Sequence, residues 1–95
     1  MKIQYTRQSL RDLRTISDYV RDLNPTAASQ LAWRIRERIF RLLDFPEAAP
    51  RTDSVRRLVV AGTPYVVTYR IDPEAIVILT VRHGAQRNAA PFPDD

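Results

Sequence analysis

The sequence predicts an α+β protein with an N-terminal strand, a hairpin of two antiparallel helices, and a small, mainly antiparallel sheet closed by a three-stranded C-terminal meander. Apolar residues recur every three or four positions between residues 8 and 44, which is the helical period. Residues 55–83 form three runs rich in Val, Ile, Thr and Tyr, residue types that favour strands. Turn sequences, Gly62-Thr63-Pro64 and Asp72-Pro73-Glu74, separate these runs. The length suits one domain, expected at residues 1–87, with a flexible tail at 88–95.

Composition narrows the classes of function. The net charge is +4, and all basic residues except Lys2 are arginines, whose planar fork suits carboxylates and phosphates. The absence of cysteine excludes disulfides and thiolate metal sites, and with a single histidine we expect neither metal nor cofactor. Two glycines are too few for a phosphate-binding loop. No apolar run approaches the ~20 residues of a membrane span, so we expect a cytoplasmic protein without membrane contact.

The first elements follow from alternation and period. Ile3 and Tyr5 alternate with polar neighbours, which predicts a short strand over residues 2–6 that joins the sheet. A helix is predicted from about Gln8 to Leu23, with Thr6 or Ser9 as its cap. Its expected buried stripe contains Leu10, Leu13, Ile16, Val20 and Leu23.

Asn24-Pro25 ends the first helix and opens a second, because proline is favoured at the first helical position. The second helix is predicted to reach about Asp44. Trp33 and Phe40 lie seven residues apart near the edge of its apolar stripe, so we expect core or helix–helix packing, with a partner-binding patch as the alternative. Residues 46–53 contain two prolines and are predicted to form a loop. The expected buried stripe contains Ala28, Leu31, Ala32, Ile35, Ile39, Leu42 and Leu43.

The meander has one strand that differs from the others. Ala75 to Val81 is almost unbroken apolar sequence, which is typical of a central strand or one covered on both faces. Along the middle strand, alternation places one apolar set on the face that packs: Tyr65, Val67, Tyr69 and Ile71. Val66, Thr68 and Arg70 then lie on a polar face.

A basic cluster is the one candidate site. If the strands form a meander, several of its members converge on one polar face: Arg57, Arg70, Arg82, His83 and Arg87. Such a cluster could hold an RNA phosphate with His83 as general acid or base, dock an acidic protein, or be solvated arginine. Spacing alone leaves these alternatives open.

The ordered set of motifs resembles the ParE branch of the RelE and ParE superfamily of bacterial toxins from toxin-antitoxin systems, also called plasmid stabilisation proteins. The resemblance extends to about residue 87. The residues that carry it are Asp12-Leu13, Ile16-Ser17-Asp18-Tyr19, Asn24-Pro25-Thr26-Ala27-Ala28, Ile39 to Leu43, Arg57-Leu58-Val59, Gly62 to Arg70 and Ile78 to Gly84.

The resemblance implies a toxin that inhibits DNA gyrase and is neutralised by a ParD-like antitoxin, which alone contacts operator DNA. The target-binding candidates are the five members of the basic cluster. A RelE-like, metal-independent and ribosome-dependent endoribonuclease using Arg82, His83 and Arg57 is the alternative, although no tyrosine follows Tyr69 where that branch carries one. A relic that only binds its antitoxin is the third hypothesis. The candidates for antitoxin binding are Leu10, Leu13, Tyr19, Trp33 and Phe40.

Overall fold

A computed structural model describes residues 1–84 as two helices packed on one face of a five-stranded mixed sheet. The predicted tail at 88–95 and Arg87 lie outside the described residues. The α+β fold class is confirmed. The elements are β1 (Lys2–Tyr5), α1 (Arg7–Leu23), α2 (Pro25–Phe40), a 3-10 turn (Arg41–Leu43), β2 (Arg51–Thr52), β3 (Val55–Val59), β4 (Tyr65–Ile71) and β5 (Ala75–His83).

The sheet has the order β1-β5-β4-β3-β2. β3, β4 and β5 form the predicted antiparallel meander, and β1 joins its β5 edge in parallel, with Ile3 opposite Ile76. β5 is therefore flanked on both sides, which explains its unbroken apolar sequence. The expectation of an unstructured loop over residues 46–53 is wrong at its end, where β2 pairs with β3 through a turn containing Asp53 at φ 57°. A two-residue strand beside Pro50 gives no periodic signal.

Two residues fix the ends of the helices. Thr6 caps α1 by accepting a hydrogen bond from the Ser9 N–H at 3.1 Å. Asn24 serves both helices, because its N–H donates to the Val20 carbonyl at 2.7 Å and its side chain accepts from the Ala27 N–H at 3.1 Å. Pro25 at the first position of α2 then needs no hydrogen-bond acceptor. α2 ends at Phe40 rather than Asp44, since the following residues tighten into the 3-10 turn.

The main core lies between the helices and the sheet. α1 contributes Leu13, α2 contributes Ile35 and Ile39, and β4 contributes Val67 and Tyr69. The predicted α1 stripe is too wide, because Leu10 and Leu23 are 47% and 71% exposed. The expected core role of Trp33 and Phe40 is wrong, since these rings are 68% and 66% exposed. They lie roughly 150° around the helix axis from the buried Ile35.

A second apolar cluster occupies the face of the sheet opposite the helices, which we call the outer face. Val55, Ala75, Val77 and Leu79 form this cluster, and each is buried. The face expected to carry polar groups therefore also has an apolar centre. An extra residue in β5, at the register shift beside Thr68 and Tyr69, helps to place Leu79 there. Neither helix in the described part of the chain is long and apolar enough to cross a membrane.

Candidate functional site

Strand register places three predicted arginines together on the outer face. Arg82 lies opposite Val66. Arg57 lies opposite Thr68, whose side chain shares a face with that of Arg70 two residues on. Residues directly opposite in an antiparallel pair share a face, so all three arginines surround the Thr68–Thr80 cross-strand pair.

Two of these arginines contact aspartates through Nε. Arg70 Nε donates to Asp72 Oδ1 at 3.0 Å and to Oδ2 at 3.3 Å. Arg82 Nε lies 3.9 Å from Asp12 Oδ2, which is an ion-pair distance. The arginine side chains remain 37% and 31% exposed, so both are accessible to a partner while partly fixed.

His83 does not join this cluster. It directly follows Arg82 in β5, so its side chain lies on the opposite face, where its ring meets the Tyr65 ring edge-on at 5.7 Å between centroids. Several members of the predicted cluster, Arg57, Arg70 and Arg82, thus share the outer face, and His83 lies outside that group. A histidine that acts as general acid must reach the atom it protonates, and the outer-face arginines do not bring a bound anion to this side of the strand.

Asp12 is the residue that sequence reasoning missed. Its carboxylate accepts the Val81 N–H at 3.0 Å and the Gln8 side-chain amide at 2.8 Å, and only 14% of the side chain is exposed. β1 ends at Tyr5, so within residues 1–84 no strand pairs with Val81 on that side, and the Asp12 carboxylate accepts its N–H instead. The only signal in the sequence is the spacing of Gln8 and Asp12 by one helical turn, which is too common to indicate a contact with β5.

A groove of about 320 Å³ lies between α1 and α2. Its floor is apolar, and its rim carries three arginines and one aspartate. Asp18 forms an ion pair with Arg21, and Arg36 lies with its guanidinium 5.5 Å from the centre of the Tyr5 ring. Burial raises the pKa of Tyr5, an effect that the nearby Arg36 opposes. The lining residues are Leu10, Leu13, Arg14, Ile16, Ser17, Asp18, Arg21, Ala28, Leu31, Ala32, Ile35 and Arg36.

The predicted antitoxin-binding residues divide into three groups. Leu10 and Leu13 line the groove, with Leu13 mostly buried beneath it. Trp33 and Phe40 lie on the outward side of α2. Tyr19 is exposed but does not line the groove, since it falls on the other side of α1 from Leu10. These five residues therefore do not form one surface.

Comparison with known proteins identifies the family. Residues 3–88 match the family described as the ParE toxin of the type II toxin-antitoxin system parDE. The chain belongs to this family and is a toxin of the type II class. A protein of Sinorhizobium fredii named "Putative toxin Y4kP" is 35% identical over 88 residues, which cover 90% of this chain and 91% of the relative.

Two further relatives support the assignment. Toxin RelE2 of Caulobacter vibrioides is 29% identical over 85 residues, covering 90% of this chain and 97% of the relative. A chain from the chromosomal ParDE toxin-antitoxin system of P. aeruginosa superposes with a TM-score of 0.79 and 26% identity, covering 87% of this chain and 95% of that chain. The two-layer fold and its sheet are thus shared with a member of a ParDE system.

Proposed function

We propose that this toxin acts by binding DNA gyrase through the arginines of its outer face, and that it is neutralised by an antitoxin bound in the groove between α1 and α2. The observation that carries the proposal is the separation of two surfaces on opposite sides of the sheet. The outer face holds Arg57, Arg70 and Arg82, whereas the groove lies on the helical layer. A target and an antitoxin therefore have distinct places to bind.

The placement of His83 favours gyrase binding over RNA cleavage. A nuclease of this size needs a proton donor or acceptor beside the groups that hold the phosphate. His83 is on the other face of β5 from Arg82, against Tyr65. The arginines are accordingly better suited to contacting a protein surface than to assembling a catalytic centre with that histidine.

The groove favours an amphipathic, acidic occupant. Its floor contains Leu13, Ile16 and Leu31, and Arg14 on its rim is an exposed cation for which the described residues provide no ion-pair partner. The solved ParDE relative comes from a toxin-antitoxin system. A partner segment that folds on binding, with apolar anchors for the floor and carboxylates for the arginines of the rim, would complement this groove. We therefore assign the groove to the antitoxin.

The decisive experiment compares gyrase and translation in parallel. Purified protein is added to a gyrase supercoiling and cleavage assay and to a translating extract. We expect loss of supercoiling with cleaved DNA trapped on gyrase, and intact mRNA. The Arg57→Ala/Arg70→Ala/Arg82→Ala variant should lose most of this activity, whereas Arg7→Ala/Arg11→Ala/Arg41→Ala, with the same change of charge on the helices, should retain it.

Other outcomes assign other functions. Cleavage of mRNA only in the translating sample, abolished by His83→Ala, would overturn gyrase binding and support the RelE-like alternative. An unaffected gyrase and an unaffected extract would indicate a relic. For the groove, Ala32→Glu should abolish neutralisation by the co-expressed antitoxin while leaving gyrase inhibition intact, and Ser29→Glu on exposed α2 surface is the matched control.

A further inference from the structure

Arg70 and Arg82 each face one aspartate through Nε. Arg70 Nε is hydrogen-bonded to Asp72 at 3.0 Å, whereas Arg82 Nε lies at the longer ion-pair distance of 3.9 Å from Asp12. A guanidinium has five N–H donors, and Nε carries only one of them. The contacts to Asp72 and Asp12 therefore leave the terminal nitrogens of both arginines available. Among the residues that the structure describes, no hydrogen bond is donated by Nη1 or Nη2 of either arginine.

Other arginines use their terminal nitrogens within the chain. Arg56 donates from Nη1 to the Ala49 carbonyl at 2.8 Å, and Arg21 pairs with Asp18 through Nη2. Two terminal nitrogens in a plane are the fork that binds a carboxylate with two parallel hydrogen bonds. In Arg70 and Arg82, Nε faces a carboxylate while the two terminal nitrogens remain available, which is not so in Arg56 and Arg21.

The two aspartates are themselves fixed. Asp12 is anchored by the Val81 N–H at 3.0 Å and by Gln8. Asp72 begins the turn between β4 and β5, where its N–H donates to the Ala75 carbonyl at 2.8 Å. An arginine held by such a group loses less rotamer entropy when a partner binds, because part of its side chain is already ordered.

We propose that Asp72 and Asp12 are positioning residues, which hold the forks of Arg70 and Arg82 on the outer face for two carboxylates of an acidic protein surface. This inference rests on the proposed function, in which that surface belongs to gyrase. The two arginines are separated by roughly 14 Å along neighbouring strands, so each binds its own carboxylate.

The local charge favours a protein over a nucleic acid. Each arginine shares its positive charge with an aspartate, and Glu74 lies in the same turn as Asp72, so the surface has little net charge. Binding to nucleic acid depends on a net positive surface that releases counterions from phosphates. A bidentate hydrogen bond between a guanidinium and a carboxylate depends more on the orientation of the two groups than on the net charge of the surface.

A double-mutant cycle tests the positioning role. Asp72→Ala should raise the toxin concentration for half-inhibition of gyrase supercoiling about 3- to 10-fold, which lies in the lower part of the range measured for coupling between contacting residues. The same substitution in an Arg70→Ala background should have no further effect, because Asp72 acts through that arginine. Asp72→Asn, which keeps an oxygen acceptor for Nε, should recover part of the loss. Glu74→Ala removes an exposed carboxylate from the same turn and should inhibit like the wild-type protein.

A second measurement does not require gyrase. The Nε–H signal of Arg70 in NMR spectra should exchange slowly with water in the wild-type protein and rapidly in Asp72→Ala, with the Arg82 signal unchanged. Hexaglutamate should shift both signals more than a single-stranded DNA hexanucleotide does. The thermal midpoint of Asp72→Ala should remain within about 3 °C of wild type, because Asp72 is on the surface.

The results separate this inference from the proposed function. If the wild-type protein leaves gyrase unaffected, the proposed function is overturned, and with it the identification of the partner surface as gyrase. The exchange rate of the Arg70 Nε–H still tests whether Asp72 positions Arg70. Equal losses from Asp72→Ala in both backgrounds, or unchanged Nε–H exchange, would overturn the positioning role while gyrase inhibition stands. Tighter binding of the hexanucleotide, with a steep dependence on salt, would show that the partner is a nucleic acid.

Discussion

The carboxylate of Asp12 in α1 accepts the backbone N–H of Val81 in β5 at 3.0 Å, at the point where β1 has ended and the described part of the chain provides no further strand at that edge. This contact replaces a missing strand with one side chain. It also brings the carboxylate to 3.9 Å from Arg82 Nε, so the helical layer is coupled to the arginines of the outer face. Asp12 thus contacts both the edge of the sheet and one arginine of the outer face from its place in α1.

Removal of this acceptor should destabilise the fold. Asp12→Ala leaves the Val81 N–H without its partner, which should lower the free energy of unfolding by about 1–3 kcal/mol. Asp12→Asn keeps an oxygen at the same position and should cost about half as much or less. Urea unfolding followed by circular dichroism measures both values. Asp22→Ala, at an exposed position in the same helix, is the control, and an equal loss there would contradict the role assigned to Asp12.

The Thr6 hydroxyl also joins α1 to β5, at the N-terminus of the helix. It accepts from the Ser9 N–H and donates to the Ile78 carbonyl at 2.8 Å, with the Leu79 carbonyl at 3.0 Å. Thr6→Val retains the shape but leaves buried polar groups unpaired, so we expect a loss of roughly 2 kcal/mol in the free energy of unfolding. Thr15→Val on the exposed side of α1 should change stability by less than about 0.5 kcal/mol. A loss below that value for Thr6→Val would show that the helix start does not depend on its cap.

Stability should fall at high pH because of a buried phenol. Tyr69 donates its hydroxyl to the Pro46 carbonyl at 2.7 Å, and burial raises its pKa. The unfolded phenol ionises near pH 10, while the folded phenol stays neutral to higher pH. Its contribution to stability is therefore complete below about pH 10 and is lost as the pH rises through the folded pKa.

Unfolding free energies between about pH 9 and pH 11 measure this effect. The wild-type value should fall with pH, and the slope should be smaller in Tyr69→Phe. Burial also raises the pKa of Tyr5, so some slope should remain in that variant. Tyr19→Phe, which removes an exposed hydroxyl, should follow the wild type. Identical slopes for Tyr69→Phe and wild type would contradict the assigned cause.

Period, turn chemistry and capping residues predict the two helices and the meander, and strand alternation places Arg70 on the polar face of the sheet. Asn24-Pro25 is a local signal for the junction between the helices, and the apolar run of β5 indicates a strand with neighbours on both sides. The contact between Asp12 and Val81 joins residues 69 positions apart, so no local pattern contains it. The place of His83 required the register of β5, since a shift by one residue moves a side chain to the other face.

Trp33 shows the limit of composition as a guide to the core. A large aromatic residue is more often buried than exposed, yet this ring is 68% exposed because its helical position is nearly opposite Ile35. Only the angle around the axis of α2 distinguishes a buried from an exposed position here. Ile35, which is buried two residues further along, provides a direct comparison.

Substitution of these two residues should therefore have opposite consequences for stability. Trp33→Gln should change the free energy of unfolding by less than about 0.5 kcal/mol, because little packed surface is lost. Ile35→Ala empties a fully buried site between the helices and β4 and should cost about 2–5 kcal/mol. Urea denaturation followed by circular dichroism compares them without relying on tryptophan fluorescence.

Phe40→Gln provides a second test of the outward side of α2, because this ring is 66% exposed. It should resemble Trp33→Gln in stability and in its denaturant slope, which reports the surface exposed on unfolding. A loss above about 1.5 kcal/mol for either aromatic substitution would place the ring in a packed interface and contradict its exposure. If both variants keep the stability of the wild type, the two aromatic rings do not support the fold. Their contribution to antitoxin affinity can then be measured with folded Trp33→Gln and Phe40→Gln proteins.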